Sequence, residues 1–172
     1  RSMNIPADIS VLIFSPNTSI ARTLRMALRG MGVRSIHLAS DEATLLEGFT
    51  NSDPRAMLVY VDAPENDAGL DAIRFMRRSE KSPNIRFPIV AASPRRDLVT
   101  VNAVINAGGH EYVLFPSSGD ALVKKIIAAR NSNRPFIEKA DFVGPCRRRR
   151  EDKAYAGPER RAGRLAAKAA SS

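Results

Sequence analysis

The sequence predicts an α/β protein with a doubly wound, five-stranded parallel sheet in three layers, followed by a largely irregular, basic C-terminal tail. Residues 9–14 and 56–61 are short runs of mostly β-branched or apolar residues, as expected for strands buried on both faces. Five such runs alternate with five helix-like segments over about 120 residues. Short loops between them favour right-handed crossovers, and therefore a parallel sheet with helices on both faces.

Each element has its own local pattern. The predicted strands are residues 9–14, 34–39, 56–61, 88–92 and 112–115. The first helix has apolar residues at helical spacing from Ile20 to Met31, with Thr18 or Ser19 as its N-cap and Gly32 as its stop. The other predicted helices are residues 41–49, 70–78, 97–107 and 120–130. We therefore expect a domain over residues 8–130 and a linker with an arginine-rich tail over residues 131–172.

Charge separates the two parts. Residues 1–130 hold 16 Lys/Arg and 13 Asp/Glu, a net charge of +3, whereas residues 131–172 hold 11 and 5, a net charge of +6. This asymmetry indicates an anionic partner for the tail. The single cysteine, Cys146, excludes an intramolecular disulfide and a cysteine-based zinc site. No apolar run approaches the roughly 20 residues that span a bilayer, so we expect a cytoplasmic protein without membrane insertion.

A repeated phrase distinguishes the tail from a plain basic extension. Residues 142–148 and 155–161 both read aromatic-x-Gly-Pro-x-Arg-Arg, and the first copy continues through two further arginines. Arginine binds phosphate and the O6/N7 edge of guanine, and it stacks on purines as aromatic rings do. Asp152 is a candidate acceptor for guanine N1 and N2. The predicted ligand-binding residues are Phe142, Arg147, Arg148, Arg149, Arg150, Asp152, Tyr155, Arg160 and Arg161.

Several residues in the first 130 positions stand at family landmarks. They are Gly69-Leu70 after the third strand, Ser93 at the end of the fourth, Ala107-Gly108 before the fifth, Tyr112 within it and Pro116 after it. In this order the chain resembles the CheY-like receiver domain of two-component signalling. The resemblance implies a hydroxyl switch at Ser93, an aromatic switch at Tyr112 and a cis-proline at Pro116.

The chemistry that this resemblance implies is degenerate. The acid pair that helps a receiver to hold magnesium reads Ser15-Pro16, which cannot supply two anionic oxygens. The lysine before the cis-proline is Phe115. We therefore predict no metal site, no catalytic residues and no enzymatic activity, with Ser15, Pro16, Ser93 and Phe115 as a degenerate receiver site.

The phosphoacceptor position is ambiguous. Counting back from Gly69 without a gap reaches Val61, whereas Asp62 requires one residue deleted from the loop. Asp62 is thus at most a vestigial phosphoacceptor, because metal and lysine are missing.

Other side chains at these positions have structural explanations. We expect Ser93 to bond local backbone groups and Phe115 to fill space as an apolar plug. Tyr112 is either a packed surface aromatic or a partner contact. His37 and His110 lie far apart without clustered acids and are expected to be structural.

A degenerate receiver with an arginine-rich extension resembles the CheY-like cyclic-di-GMP effector (Cle) group. That resemblance implies a non-enzymatic signalling protein whose tail binds cyclic di-GMP and whose fourth helix, fifth strand and fifth helix engage a flagellar-motor or other signalling protein, with no cofactor. An adaptor whose tail binds an acidic protein is the alternative, with Val101, Val104 and Tyr112 as candidate contacts. Nonspecific binding of nucleic acid or a membrane surface, and residual phosphotransfer at Asp62, are further readings.

Overall fold

The computed structural model describes residues 5–148 of the 172-residue chain. Its strands are β1 (Ser10–Phe14), β2 (Ser35–Ala39), β3 (Ala56–Tyr60), β4 (Ile89–Ser93), β5 (Glu111–Leu114), β6 (Phe136–Glu138) and β7 (Val143–Pro145). Its helices are α1 (Thr18–Gly30), α2 (Glu42–Ser52), α3 (Ala68–Arg78), α4 (Leu98–Ala107) and α5 (Gly119–Arg130). The first five strands and all five helices confirm the predicted α/β order.

The main sheet has the strand order β2-β1-β3-β4-β5, and every neighbouring pair is parallel. Side chains of β1 alternate between its two faces, as period-two geometry requires. Val11 and Ile13 pack with residues of α1 and α5, while Leu12 and Phe14 pack with residues of α2, α3 and α4. The result is the predicted three-layer arrangement with an apolar core on each side of the sheet.

The helices begin at polar side chains that accept hydrogen bonds from the first turn. Asn17 caps α1 by accepting from the backbone N–H groups of Ser19 and Ile20, so the predicted cap at Thr18 or Ser19 is wrong by one or two residues. The Asn17 backbone is extended, which frees its carboxamide to reach forward to those donors. Within residues 5–148, no helix has the length and apolarity needed to cross a membrane.

A β-hairpin follows α5, in a stretch for which the sequence predicts a linker and an irregular tail. Strands β6 and β7 pair antiparallel, with Ile137 opposite Gly144. The backbone N–H of Cys146 donates to the carbonyl of Pro135 at 2.7 Å and closes the open end of the hairpin. The sequence prediction missed this hairpin, because two three-residue strands carry no measurable periodicity.

Arginine side chains hold the hairpin against the domain. Arg86 donates to the Glu138 carboxylate at 2.8 Å, and Arg78 donates to the carbonyl of Ala140 at 3.0 Å. Arg134 donates to the carbonyl of His110 at 2.6 Å. Arg86 precedes β4 and His110 precedes β5, so the hairpin lies against the amino ends of those strands, with Arg78 at the end of α3 beside it.

Candidate functional site

The carboxyl edge of the sheet is where a doubly wound fold has its working crevice. We define the carboxyl-edge site as Ser15, Tyr60, Asp62, Ser93 and Phe115, which end or follow β1, β3, β4 and β5. The topology thus brings together the residues that the sequence assigns to a degenerate receiver site. Their contacts show what replaces the expected acids and lysine.

Ser15 is committed to its own loop. Its hydroxyl donates to the carbonyl of Asn17 and accepts from the Asn17 backbone N–H, each at 3.2 Å, and the residue is 2% exposed. Pro16 adds no donor or acceptor side chain. This corner therefore stabilises the entry into α1 and offers no oxygen to a cation.

Phe115 fills the position of the expected lysine with an apolar ring. It is 8% exposed, and its ring centroid lies 6.4 Å from that of Tyr60 in an edge-to-face arrangement. The Phe115–Pro116 peptide bond is cis, which confirms the expected cis-proline. Burial raises the pKa of the Tyr60 phenol, and the charge of the hydrogen-bonded Asp62 carboxylate raises it further.

The two candidates for the phosphoacceptor differ in exposure. Val61 is fully buried, and its backbone N–H donates to the carbonyl of Ala92, so it continues β3 into the sheet edge. Asp62 follows it and is exposed. Asp62 thus stands at the strand tip beside Tyr60, and within residues 5–148 no ion pair joins its carboxylate to a cationic side chain.

Asp67, the other acid near this edge, is occupied by backbone donors. One carboxylate oxygen accepts from the N–H groups of Gly69 and Leu70, at 2.8 and 3.1 Å. The other accepts from Asp62 and Ala63, at 2.8 and 3.1 Å. Asp67 therefore caps α3 and folds the loop before it; over residues 5–148 no group of three acids, histidines or cysteines could hold a metal ion.

Ser93 and Tyr112 both form hydrogen bonds with the backbone of Arg95. The hydroxyl of Ser93 accepts from the backbone N–H of Arg95 at 3.2 Å, as expected for local backbone bonding. The Tyr112 hydroxyl donates to the carbonyl of Arg95 at 2.6 Å. Both side chains thus fix the β4–α4 loop. Among the candidate partner contacts, Val104 is 1% exposed and belongs to the core, so it cannot contact a partner.

A second candidate site lies at the hairpin. We define the hairpin cleft as an open cavity with a volume of about 310 Å³. It is lined by Ile137, Lys139, Asp141, Phe142, Cys146, Arg147 and Arg148. Four of these residues, Phe142, Cys146, Arg147 and Arg148, belong to the first copy of the repeated phrase, residues 142–148. The cleft is open to solvent on the side of its charged residues, which are exposed.

The aromatic and the first arginine of the repeat form one unit in this cleft. The guanidinium carbon of Arg147 lies 4.2 Å from the centroid of the Phe142 ring, close enough for a cation–π interaction. Phe142 is only 5% exposed. The Phe142 ring therefore supports Arg147, and its exposed surface is too small to stack a base, unlike the role that its place in the repeat predicts.

Positive charge prevails in the cleft. Lys139, Arg147 and Arg148 are opposed by one carboxylate, Asp141. Within the described part of the chain, no ion pair or side-chain hydrogen bond joins any of these four groups to another residue. Three cations without fixed counter-charges favour binding of an anion.

Arg77 joins the cleft-bearing hairpin to the domain core. It is 2% exposed and donates to the carbonyls of Gly108, Ile85 and Phe87 at 3.0, 2.7 and 2.9 Å. Burial lowers the pKa of the Arg77 guanidinium to about 9. The Phe136 ring of the hairpin lies 5.3 Å from its guanidinium carbon. A helix, a loop and the hairpin therefore share one buried cation.

His110 completes this cluster and is structural, as expected. Its Nδ1 lies 3.1 Å from an Arg77 nitrogen and accepts from the Ile89 backbone N–H at 3.2 Å. Two donors face Nδ1, so that atom carries no proton. Burial, and then the charges of Arg77 and Arg134, lower the pKa of His110 to about 3.

The predicted tail residues divide at the end of the described region. Phe142, Arg147 and Arg148 are brought together, whereas Arg149, Arg150, Asp152, Tyr155, Arg160 and Arg161 lie outside residues 5–148. The sequence prediction missed Arg77. Its spacing from Leu70 and Ile73 places it on the buried face of α3, and this spacing could have indicated a buried arginine. The prediction also missed Lys139 and Asp141, which only the hairpin turn brings to the cleft.

Comparisons with known proteins bear on the fold. No protein-family model matches the chain, and no curated protein matches it in sequence. Among solved structures, it is similar to the receiver domain of a modulated diguanylate cyclase from Desulfovibrio desulfuricans G20, with a TM-score of 0.55 and 19% identity over 72% of this chain and 94% of that one.

Two further structures give the same result. The receiver domain of the Francisella response regulator 1452 matches with a TM-score of 0.57 and 17% identity, over 72% of this chain and 97% of that one. The Vibrio cholerae chemotaxis protein CheY4 matches with a TM-score of 0.58 and 16% identity, over 72% and 99%. At these identities the likeness concerns the fold alone: the chain has a CheY-like receiver fold.

Proposed function

We propose that this chain is a non-enzymatic signalling protein, a pseudo-receiver whose arginine-rich extension binds cyclic di-GMP and passes the signal to a protein partner. One observation carries the proposal. The Arg147 guanidinium lies over the Phe142 ring, at the edge of a cleft with three cations that form no ion pair within residues 5–148. That surface is suited to a ligand with flat rings and phosphates.

The carboxyl-edge site and the neighbouring Asp67 give the first line of support, because their side chains make other contacts. Ser15 bonds its own loop, Asp67 caps a helix and Phe115 is an apolar ring. Phosphoryl transfer to an aspartate depends on electrostatic stabilisation of the transferring group by a metal ion and a cationic side chain. The signal that a receiver takes up at this edge therefore needs another entry point.

The ligand chemistry gives the second line of support. Cyclic di-GMP presents two guanines and two phosphates, and the two copies of the repeat each contain an arginine pair; in the first copy the buried Phe142 ring supports Arg147. Arginine forks bind both phosphate and the O6/N7 edge of guanine. The second copy, with Tyr155, Arg160 and Arg161, would bind the second half of the ligand.

The position of the hairpin suggests how binding would reach a partner. Gly108 ends α4, and a Cβ placed on Gly144 of the hairpin would lie 2.7 Å from the Gly108 Cα. A shift of the hairpin therefore presses on the end of α4 and, through the Arg134–His110 bond, on the start of β5. These elements belong to the face of α4, β5 and α5, which we propose contacts the signalling or motor partner.

Isothermal calorimetry with cyclic di-GMP tests the proposal. We expect binding in the micromolar range, and Arg148→Ala or Arg160→Ala should weaken it about tenfold or more, since hydrogen bonds to charged groups contribute roughly 1.5–3 kcal/mol. Arg164→Ala is the matched control, because it removes the same charge from the tail outside the repeat. An absence of heat at about 100 µM ligand would overturn the proposal.

Discrimination among anions separates this function from nonspecific binding of nucleic acid or membranes. A specific site prefers cyclic di-GMP to cyclic di-AMP, which carries the same charge. A nonspecific arginine cluster binds both alike and loses affinity steeply with added salt. Equal affinities for the two nucleotides would favour the nonspecific reading.

A specific observation also supports the second candidate, a phosphorylation-independent adaptor. Leu98 and Val99 at the start of α4 are 76% and 64% exposed, which is unusual for large apolar residues. They join Tyr112 and the half-buried Val101 as candidate partner contacts, while the buried Val104 is excluded. If Leu98→Ser with Val99→Ser abolishes capture of a partner while cyclic di-GMP changes that capture by less than about twofold, the adaptor function is favoured.

A further inference from the structure

The hairpin cleft contains two charged side chains that the repeated phrase does not include. Lys139 and Asp141 lie in the turn between β6 and β7, and both are exposed. The turn is closed by a bond from the Lys139 N–H to the Phe142 carbonyl at 2.8 Å and by its reciprocal at 3.2 Å. It brings these side chains to the same cleft as Arg147 and Arg148.

The size of the cleft limits what it can hold. Its volume of about 310 Å³ is at the lower end of the range of small-molecule sites, roughly 300–1,000 Å³. Such a cleft can enclose one nucleotide but not a complete cyclic dinucleotide. One half of the ligand would therefore bind here, and the other half would extend beyond it.

The arrangement of charge selects among bases. Guanine carries adjacent N1–H and N2–H donors, and the two oxygens of one carboxylate can accept both. Adenine has an unprotonated N1 at the same edge, which would face the carboxylate with a lone pair. Among the residues of the described region that line the cleft, Asp141 is the only carboxylate, and no cationic side chain of residues 5–148 is paired with it. A preference for guanine follows.

A flat cationic surface stands near this carboxylate. Arg147 is held over the buried Phe142 ring at 4.2 Å, so the second face of its guanidinium remains for a purine. Lys139 and Arg148 supply positive charge on the same surface, and within residues 5–148 neither forms an ion pair. Base stacking, edge recognition and phosphate binding can thus occur within one cleft.

We propose that the hairpin cleft is a preformed guanine-nucleotide half-site, in which Asp141 accepts from N1–H and N2–H, Arg147 stacks on the base, and Lys139 with Arg148 bind the phosphate. For the identity of the complete ligand, this inference rests on the proposed function. It assigns to Asp141 the guanine contact for which the sequence suggested Asp152.

The test asks whether removing the negative charge of Asp141 weakens or strengthens binding of an anionic nucleotide. The full chain and the variants Asp141→Asn and Glu47→Gln are titrated with cyclic di-GMP and with cyclic di-AMP. Both substitutions remove one negative charge, and Glu47 is an exposed carboxylate on α2. Amide spectra of the free proteins verify that both variants keep the fold.

If Asp141 reads guanine, Asp141→Asn weakens cyclic di-GMP binding about tenfold, although the cleft becomes more positive. Affinity for cyclic di-AMP stays the same or rises, so the ratio of the two affinities falls. Glu47→Gln changes neither. If Asp141 is merely near the ligand, its removal strengthens binding of both anions.

The outcomes separate the two proposals. Wild-type binding of cyclic di-GMP with unchanged or tighter binding by Asp141→Asn would overturn the half-site and leave the proposed function intact. If cyclic di-GMP does not bind but 5′-GMP shifts the amide signals of residues 139–147, the half-site stands and the proposed function fails. If neither nucleotide binds, both are wrong.

Discussion

His110 makes the stability of the domain depend on pH in a range where few other groups titrate. Its Nδ1 accepts from the Ile89 N–H and lies 3.1 Å from an Arg77 nitrogen, and Arg134 adds a second nearby positive charge. Protonation would bury a charge beside two cations and would turn an acceptor into a donor. Burial and these two cations lower the pKa of His110 to about 3 in the folded state, so the folded protein binds a proton there only near that pH.

The sign and size of the effect follow from linkage. In the unfolded chain the His110 pKa is about 6.5. Between about pH 6.5 and 3, His110 is therefore protonated in the unfolded state and neutral in the folded state. The contribution is complete above pH 6.5 and is lost as the pH falls, by about 1.4 kcal/mol per pH unit. From pH 7 to pH 5 the free energy of unfolding should fall by about 2 kcal/mol.

Urea unfolding at pH 7 and pH 5 measures this loss, with His110→Asn as the matched variant. Asparagine keeps an acceptor near the Nδ1 position and does not titrate, whereas His37 and the carboxylates are common to both proteins. The loss should be about 2 kcal/mol larger in the wild type than in His110→Asn. Equal losses in the two proteins would refute the assignment of His110 as a buried neutral acceptor.

Three further predictions concern the attachment of the hairpin and of the loop before α3. Gly144→Ala would place a Cβ 2.7 Å from a backbone carbon of the domain, so it should lower the Tm and weaken nucleotide binding, whereas Gly30→Ala, with nothing within 4 Å, should leave both unchanged or raise the Tm. Arg77→Met leaves three carbonyls without a donor and should cost about 3 kcal/mol or more in urea unfolding, at roughly 1–3 kcal/mol for each unsatisfied acceptor, while the exposed Arg74→Met should cost less than about 1 kcal/mol. Asp67→Ala removes the acceptors of four backbone N–H groups and should cost about 2 kcal/mol or more in the same assay; a loss below about 0.5 kcal/mol would contradict its role as a cap.

The main domain could be predicted from sequence because its elements are long enough to carry a period. Buried parallel strands are continuous apolar runs, and α1 has apolar residues at helical spacing. Helix starts were less accurate, since a cap is one side chain. The start of α3 was placed at Leu70 in place of Ala68, because the Asp67 cap lies inside what reads as a polar loop.

The candidate site could be predicted only in part. The aromatic and arginine spacing predicts that Phe142 and Arg147 belong to one ligand site; the structure places the Arg147 guanidinium over the Phe142 ring, and ligand binding there stays a prediction. The burial of Phe142 and the presence of Asp141 in the cleft depend on a hairpin whose strands have three residues each. Residues far away in the sequence, above all Arg77 and Arg86, stabilise that hairpin through the Phe136 ring. A local sequence pattern therefore does not predict it.

The close approach of Gly108 and Gly144 predicts which residues other receiver-fold sequences need if they are to form the same hairpin. Gly108 has a φ of 110°, which by itself favours glycine there. Gly144 has a separate reason, since a side chain would collide with Gly108. Both glycines, together with the buried Arg77, should therefore occur jointly in receiver-fold proteins that carry the hairpin, and a chain with a bulky residue at the second position should lack it.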